Sequence, residues 1–128
     1  MPAITINSSR LGRTLEELGR IGETADGMQR IAFSPADVAG REYTTSLMRG
    51  AGLEVRIDPA GNIIGRKAGS FPAMPAIAMG SHLDTVPSGG KYDGALGVMA
   101  AIECVQTLAE NNVTLRHPVE KLVFTNEE

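Results

Sequence analysis

Cys104 is the only cysteine in the 128 residues, so no disulfide can form within the chain. It sits inside an apolar helical pattern, where a thiol reads as a small core residue rather than a nucleophile. No cluster of basic residues accompanies the formal net charge of -3, which gives a phosphate backbone nothing to hold and excludes nucleic acid as an expected partner. No apolar stretch approaches the roughly 18 residues a membrane span requires. The opening MPAITINSSR has neither a basic leader nor an apolar run of signal-peptide length, so a cytoplasmic location is the default expectation. Internal repeats, low-complexity tracts and domain linkers are missing too. With 42% hydrophobic and 21% charged residues, the expectation is one globular domain with a modest core.

The pattern along the chain predicts an α/β fold, a mixed sheet with flanking helices. Asn7 or Ser8 can cap a first helix whose stripe is Leu11, Leu15, Leu18 and Ile21. Glu23 to Phe33 has no period and contains the turn signal Asp26-Gly27, so it reads as a connecting loop. Ser34-Pro35-Ala36-Asp37 starts a second helix, with a capping serine, proline at the first helical position and an acid in the first turn. Gly52 marks its end. Glu54 to Asp58 and Asn62 to Lys67 flank Pro59-Ala60-Gly61 as a hairpin.

Ala76 to Gly80 is a continuous apolar run, the pattern of a strand buried on both faces. Val98, Ala101, Ile102, Val105, Leu108 and Ala109 form one stripe of a third helix, and Val119 to Phe124 is a second buried strand. Strand, helix, strand of this length makes a parallel crossover unit, with both following loops at the strands' carboxyl ends, where open α/β sheets bind ligands.

Those two loops carry the chemistry. In GSHLDTVPSGGKYDG, His82 and Asp84 are separated by one residue, so in an extended segment both face one side while Leu83 faces the core. A carboxylate beside a histidine can fix its tautomer around a metal, although a hydrogen-bonded polar pair is the plainer reading of these two alone. Asp93 can cap the third helix or, because Ser88-Gly89-Gly90 lets the chain bend back, approach His82. The loop lacks the glycine and Lys-Ser/Thr spacing of a phosphate cradle. Glu127 and Glu128, after the second strand, read alone as a solvated pair. Their coincidence with His82, Asp84 and Asp93 at neighbouring strand ends is what suggests a metal site. His117, remote from them, reads as a surface loop residue.

Taken together, GSHLDTVPSGGKYDGALGV, VFTNEE and the hairpin AGLEVRIDPAGNIIGR resemble the M20-type metal-dependent amidohydrolases. The branch they resemble most holds N-carbamoyl-L-amino-acid hydrolases and allantoate amidohydrolases. The resemblance implies that residues 1–128 form the amino-terminal part of a zinc-dependent-exopeptidase-like catalytic domain, with the lid and dimerisation domain outside them. It implies two divalent ions, zinc, manganese, cobalt or nickel, with His82 on one, Asp93 bridging both and Glu128 on the other. Glu127 would be the general base and Asp84 would orient His82.

The implied substrate is a small ureido or amide compound, with no nucleic acid and no membrane involved, and the implied full-length protein is a homodimer. Family proteins are much longer and take further ligands from later sequence, so the 128 residues alone are expected to be inactive, with the final strand left with an exposed edge or face. An aminoacylase or peptidase of the wider family, and a non-catalytic metal-binding domain, are the competing readings.

Overall fold

The computed structural model describes residues 3–128. Helix α1, Ser8–Gly19, begins where the Asn7 side chain accepts the Arg10 N–H at 2.9 Å, satisfying a donor the helix itself cannot pair. Leu15 and Leu18 are buried, and Leu11 and Ile21 pack against the same core. The segment after α1 is more ordered than a plain connecting loop. Strands β1, Glu23–Thr24, and β2, Gly27–Met28, pair antiparallel, and Met28 exchanges backbone hydrogen bonds with Gly89 at 2.9 and 3.0 Å. That pairing over a long sequence separation leaves no local period to read.

Helix α2, Pro35–Gly50, is capped reciprocally. Ser34 Oγ accepts the Asp37 N–H at 3.2 Å while Asp37 Oδ2 accepts the Phe33 N–H at 2.9 Å. The hairpin strands are β3, Glu54–Ile57, and β4, Ile63–Lys67. They are followed by β5, Ile77–His82, helix α3, Ala95–Glu110, and β6, Val119–Phe124. The sheet runs β3-β4-β6-β5, with β4 antiparallel and β5 parallel to β6.

Ile63, Val119 and Val123 on one face meet Leu18, Met48, Val98 and Val105 from the three helices to form the core. Burial of these side chains, at about 25 cal/mol per Å² of apolar surface, is what holds helices to sheet. Among the described residues no helix is long and apolar enough to cross a membrane.

Three expectations are corrected. The apolar run at Ala76 to Gly80 is an edge strand, and Ile77 and Ala78 are exposed; an apolar run alone does not say how many neighbours its strand has. Of the exposed edge or face expected for the last strand, the edge is excluded, because β4 and β5 flank β6 on both sides, while Phe124 on it is exposed. Cys104 is exposed. Helix α3 is turned so that Glu103 beside it is buried instead, a placement made tolerable by Arg10 on α1, which bonds it at 2.7 and 2.8 Å.

Candidate metal centre

Strand β5 delivers His82 and then leaves the sheet. Leu83 stays in the core, and His82, Asp84 and Thr85 are buried as well, so both sides of this segment are covered. His82 Nδ1 donates to the Asp84 main-chain carbonyl at 2.9 Å. A carbonyl only accepts, so Nδ1 carries a hydrogen, and Nε2 is the ring nitrogen turned toward the acidic side chains. Nε2 lies 3.4 Å from Glu127 Oε2, 3.6 Å from Asp93 Oδ2 and 4.0 Å from Glu128 Oε1.

Asp84 acts on the histidine through its carbonyl. Its carboxylate Oδ1 is 3.6 Å from Nδ1 and accepts the main-chain N–H of Glu127 at 3.3 Å, while Oδ2 accepts that of Glu128 at 3.0 Å. One buried side chain therefore ties the loop after β5 to the turn after β6.

The Gly-rich loop returns Asp93 to the histidine. Ser81 Oγ donates to the Gly94 carbonyl at 2.8 Å, and Gly94 itself has φ +65°. A Cβ there would lie 2.5 Å from His82 Cε1 and 2.6 Å from Nδ1, so the close approach and the left-handed backbone both require glycine. Gly94 is also the N-cap of α3, without a side-chain bond; Asp93 does not cap the helix with its carboxylate, which is free to face His82.

Arg30 was not singled out by the sequence. It is fully buried, donating from Nε to the Leu83 carbonyl at 2.7 Å and from Nη1 to the Leu18 and Ile21 carbonyls at 2.9 and 2.7 Å. Burial lowers its pKa, with Asp37 and Asp84 opposing. An isolated arginine in a loop carries no signal of this role. Lys91, within the Gly-rich loop, is paired with Glu23 at 2.7 Å. His117 is tied to the Pro75 carbonyl at 2.7 Å, away from the cluster.

His82, Asp93 and Glu128 offer ligand atoms that all lie within 4.8 Å of one another. Donors bound at 2.0–2.2 Å to a tetrahedral ion stand roughly 3.3–3.6 Å apart, so these residues need small side-chain movements to close on a cation. The carboxylates crowd one another meanwhile. Glu128 is pushed above its ordinary value by a hydrogen bond with Asp93, then by desolvation and the Asp93 charge, with His82 pulling it back. One nitrogen and several carboxylate oxygens suit zinc, manganese, cobalt or nickel without choosing between them.

A parallel strand pair with histidine and carboxylate donors at its carboxyl ends, on a mixed sheet, defines the class: a metallopeptidase-type α/β domain. The chain belongs to peptidase family M28, whose model matches residues 62–128. Its relatives carry narrower names. It is 45% identical over its whole length to an N-carbamoyl-L-amino-acid amidohydrolase of Pseudomonas sp. (strain NS671), covering 31% of that protein. It is 36% identical over 98% of its length to a ureidoglycolate hydrolase of Arabidopsis thaliana, covering 27% of it.

A crystal structure of a hydantoinase/carbamoylase family amidase from Burkholderia ambifaria superposes with a TM-score of 0.95 at 38% identity, over 98% of this chain and 31% of that one. The chain thus spans about three tenths of the length of the curated relatives it matches. The family model is that of M28 rather than M20, a related peptidase fold. N-carbamoyl-L-amino-acid and allantoate hydrolases, the branch that the motifs resemble, are among the relatives found.

Proposed function

We propose that this chain contributes the first half of the metal site of a hydrolase that cuts non-peptide C–N bonds in small ureido or amide compounds, N-carbamoyl-L-amino acids or allantoate-like substrates among them. The observation that carries the reading is the convergence of His82 Nε2 with Asp93, Glu127 and Glu128 at the carboxyl ends of β5 and β6. His82, Asp93 and Glu128 would hold two divalent ions, zinc, manganese, cobalt or nickel. When bound, such ions lower the pKa of water and polarise a carbonyl.

Glu127 takes the proton of the attacking water at its carboxylate and returns it to the departing nitrogen. It is half-exposed and lies 3.4 Å from His82 Nε2, beside the residues that would hold the ions. Asp84 orients His82 through its carbonyl and fixes the backbone from which Glu127 and Glu128 project. Three donors cannot saturate two ions, so the 128 residues alone are proposed to be inactive. The full-length protein is read as a cytoplasmic homodimer.

Calorimetric titration with Mn²⁺ and Zn²⁺ tests the site. Uptake by the wild type that both His82→Ala and Asp93→Ala abolish supports it; uptake indifferent to both substitutions sinks it. The family match favours one second reading, a peptidase. A full-length protein that releases amino acids from dipeptides, and no ammonia from carbamoyl amino acids, decides for it.

A further inference from the structure

We propose that Asn62 and Arg41, neither of them in the acidic cluster, are positioning residues for Glu127 and Glu128, acting through Thr125. The inference deepens the metal-site reading and rests on it. The turn of the β3/β4 hairpin is built around Asp58. Its Oδ1 accepts the N–H groups of Ala60 and Asn62, both at 2.9 Å, and its Oδ2 accepts Asn62 Nδ2 at 2.9 Å. With its amide nitrogen held there, Asn62 can turn Oδ1 only one way, and that oxygen accepts the Thr125 N–H at 2.9 Å. Arg41 of α2 reaches the same place, donating from Nη1 to Thr125 Oγ1 at 3.1 Å and from Nη2 to the Gly61 carbonyl. Gly61 has φ +92°, and a Cβ there would stand 3.2 Å from Thr125 Oγ1. Only glycine lets the hairpin close down on this residue without strain.

The register explains why side chains are needed. The β4/β6 ladder stops at Ile63 opposite Val123, and β6 stops at Phe124, so Thr125 is the first residue past the strand. Asn62, one residue before β4, replaces the next ladder hydrogen bond with a side-chain acceptor. Asn126 then turns through a left-handed conformation, φ +53°, which asparagine tolerates better than most residues. Immediately beyond it, Glu127 and Glu128 donate their N–H groups to Asp84.

The acidic turn is therefore gripped on both flanks, by Asp84 from the loop after β5 and by Asn62 and Arg41 from the hairpin and α2. A displacement at Thr125 has one residue in which to be absorbed before it reaches Glu127. Metal–ligand distances tolerate only about 0.2 Å, and partners that orient ligands are typically worth 10–100-fold in affinity.

The test is amide hydrogen exchange by NMR on the 128-residue chain as wild type, Asn62→Ala, and the exchange pair Asp58→Asn with Asn62→Asp. The pair keeps a donor facing an acceptor between positions 58 and 62, and keeps an acceptor for Thr125. Asn62→Ala is expected to speed exchange at Glu127 and Glu128 by about tenfold or more, a local opening, while Val123 and Ile102 stay at their wild-type rates. The pair is expected to restore the wild-type rates, and Arg41→Ala to act in the same direction as Asn62→Ala. Co²⁺ titration read by visible absorption is expected to show Kd raised roughly 10–100-fold in Asn62→Ala and recovered in the pair.

Glu127 and Glu128 amides that exchange equally fast in wild type and Asn62→Ala overturn the proposal, as does a pair no better than the alanine variant. The exchange readout needs no metal. A wild type with the expected exchange pattern that takes up no Co²⁺ sinks the metal-site reading and leaves the positioning intact; Co²⁺ uptake with unchanged exchange sinks the positioning alone.

Discussion

Two clusters of acidic groups in this small domain are handled in opposite ways. Glu103, on α3, is buried with its side chain only 3% exposed, yet each of its oxygens is answered: Arg10 donates from Nε and Nη2, and the Asn7 N–H and Thr107 hydroxyl complete the set. Its carboxyl is accordingly held below the ordinary value, by the Arg10 hydrogen bond first. At the carboxyl ends of β5 and β6, Asp93, Glu127 and Glu128 converge on the His82 imidazole, and their ion-pair geometry includes no lysine or arginine among the described residues. The nearest candidate cation in the loop, Lys91, is spent on Glu23. The buried carboxylate has its countercharge within the chain; the exposed acids beside His82 have no lysine or arginine against them.

The largest effect should come from breaking the second cluster in the presence of metal. His82→Ala or Asp93→Ala is expected to weaken Mn²⁺ or Zn²⁺ binding by roughly a hundredfold or more, above what outer partners are worth. Urea unfolding of the metal-free Asp93→Ala chain should meanwhile show no loss of stability, because that side chain is 69% exposed and is relieved of its acidic neighbours.

The reverse holds at the first cluster. Arg10→Ala leaves Glu103 buried with its charge uncompensated and should cost about 3 kcal/mol in the same unfolding experiment, with metal uptake retained. Equal sensitivity of both properties in both variants would erase the contrast.

Lys121 sharpens it from a third side. Its side chain is buried on the core face of β6, with Nζ donating to the Leu122 carbonyl at 2.6 Å, and burial pushes its pKa down to about 8. The unfolded chain keeps this proton to about pH 10.5, so between those values the unfolded state binds more protons and stability rises with pH. Lys121→Met is expected to flatten that rise and to add about 2 kcal/mol at pH 7, read from urea midpoints between pH 7 and 10.

The smallest effect is on the acid limb. The depressed Glu103 carboxyl contributes stability present above its ordinary 4.5 and lost as pH falls below it through the folded value. Glu103→Gln should make the limb between pH 5 and 3 shallower than in the wild type, and an unchanged limb would remove Glu103 from its causes.

Much of this was legible because it is local. Asn7, Ser34-Pro35 and Gly52 place helix ends through the unpaired groups of a helix terminus, and the apolar stripes of α1 and α3 report the faces that pack. His82, Asp84, Asp93, Glu127 and Glu128 stood out because the motif pair is specific and because parallel strands put their following loops side by side. The misreadings share one cause. Ile77 was assigned to a buried strand, and an open edge was allowed for β6, because apolar runs do not state strand order, and Cys104 was placed in the core because a stripe of small and apolar residues does not state its own margin. Arg30, Arg41 and Asn62 gave no signal as isolated polar residues in a loop, a helix and a hairpin.

The sequence by itself determined the three helices, the hairpin and the crossover strands, and which histidine and acidic residues follow those strands, since propensity, capping and residue chemistry act within a few positions; the short pair β1 and β2 it did not. Only the tertiary structure decided that β6 lies between β4 and β5, that Asp84 spends its carboxylate on the Glu127 and Glu128 amides, and that Asn62 and Arg41 brace Thr125. Those are contacts between residues far apart in the chain, selected by which hydrogen bonds and apolar faces can be satisfied together once the sheet has closed.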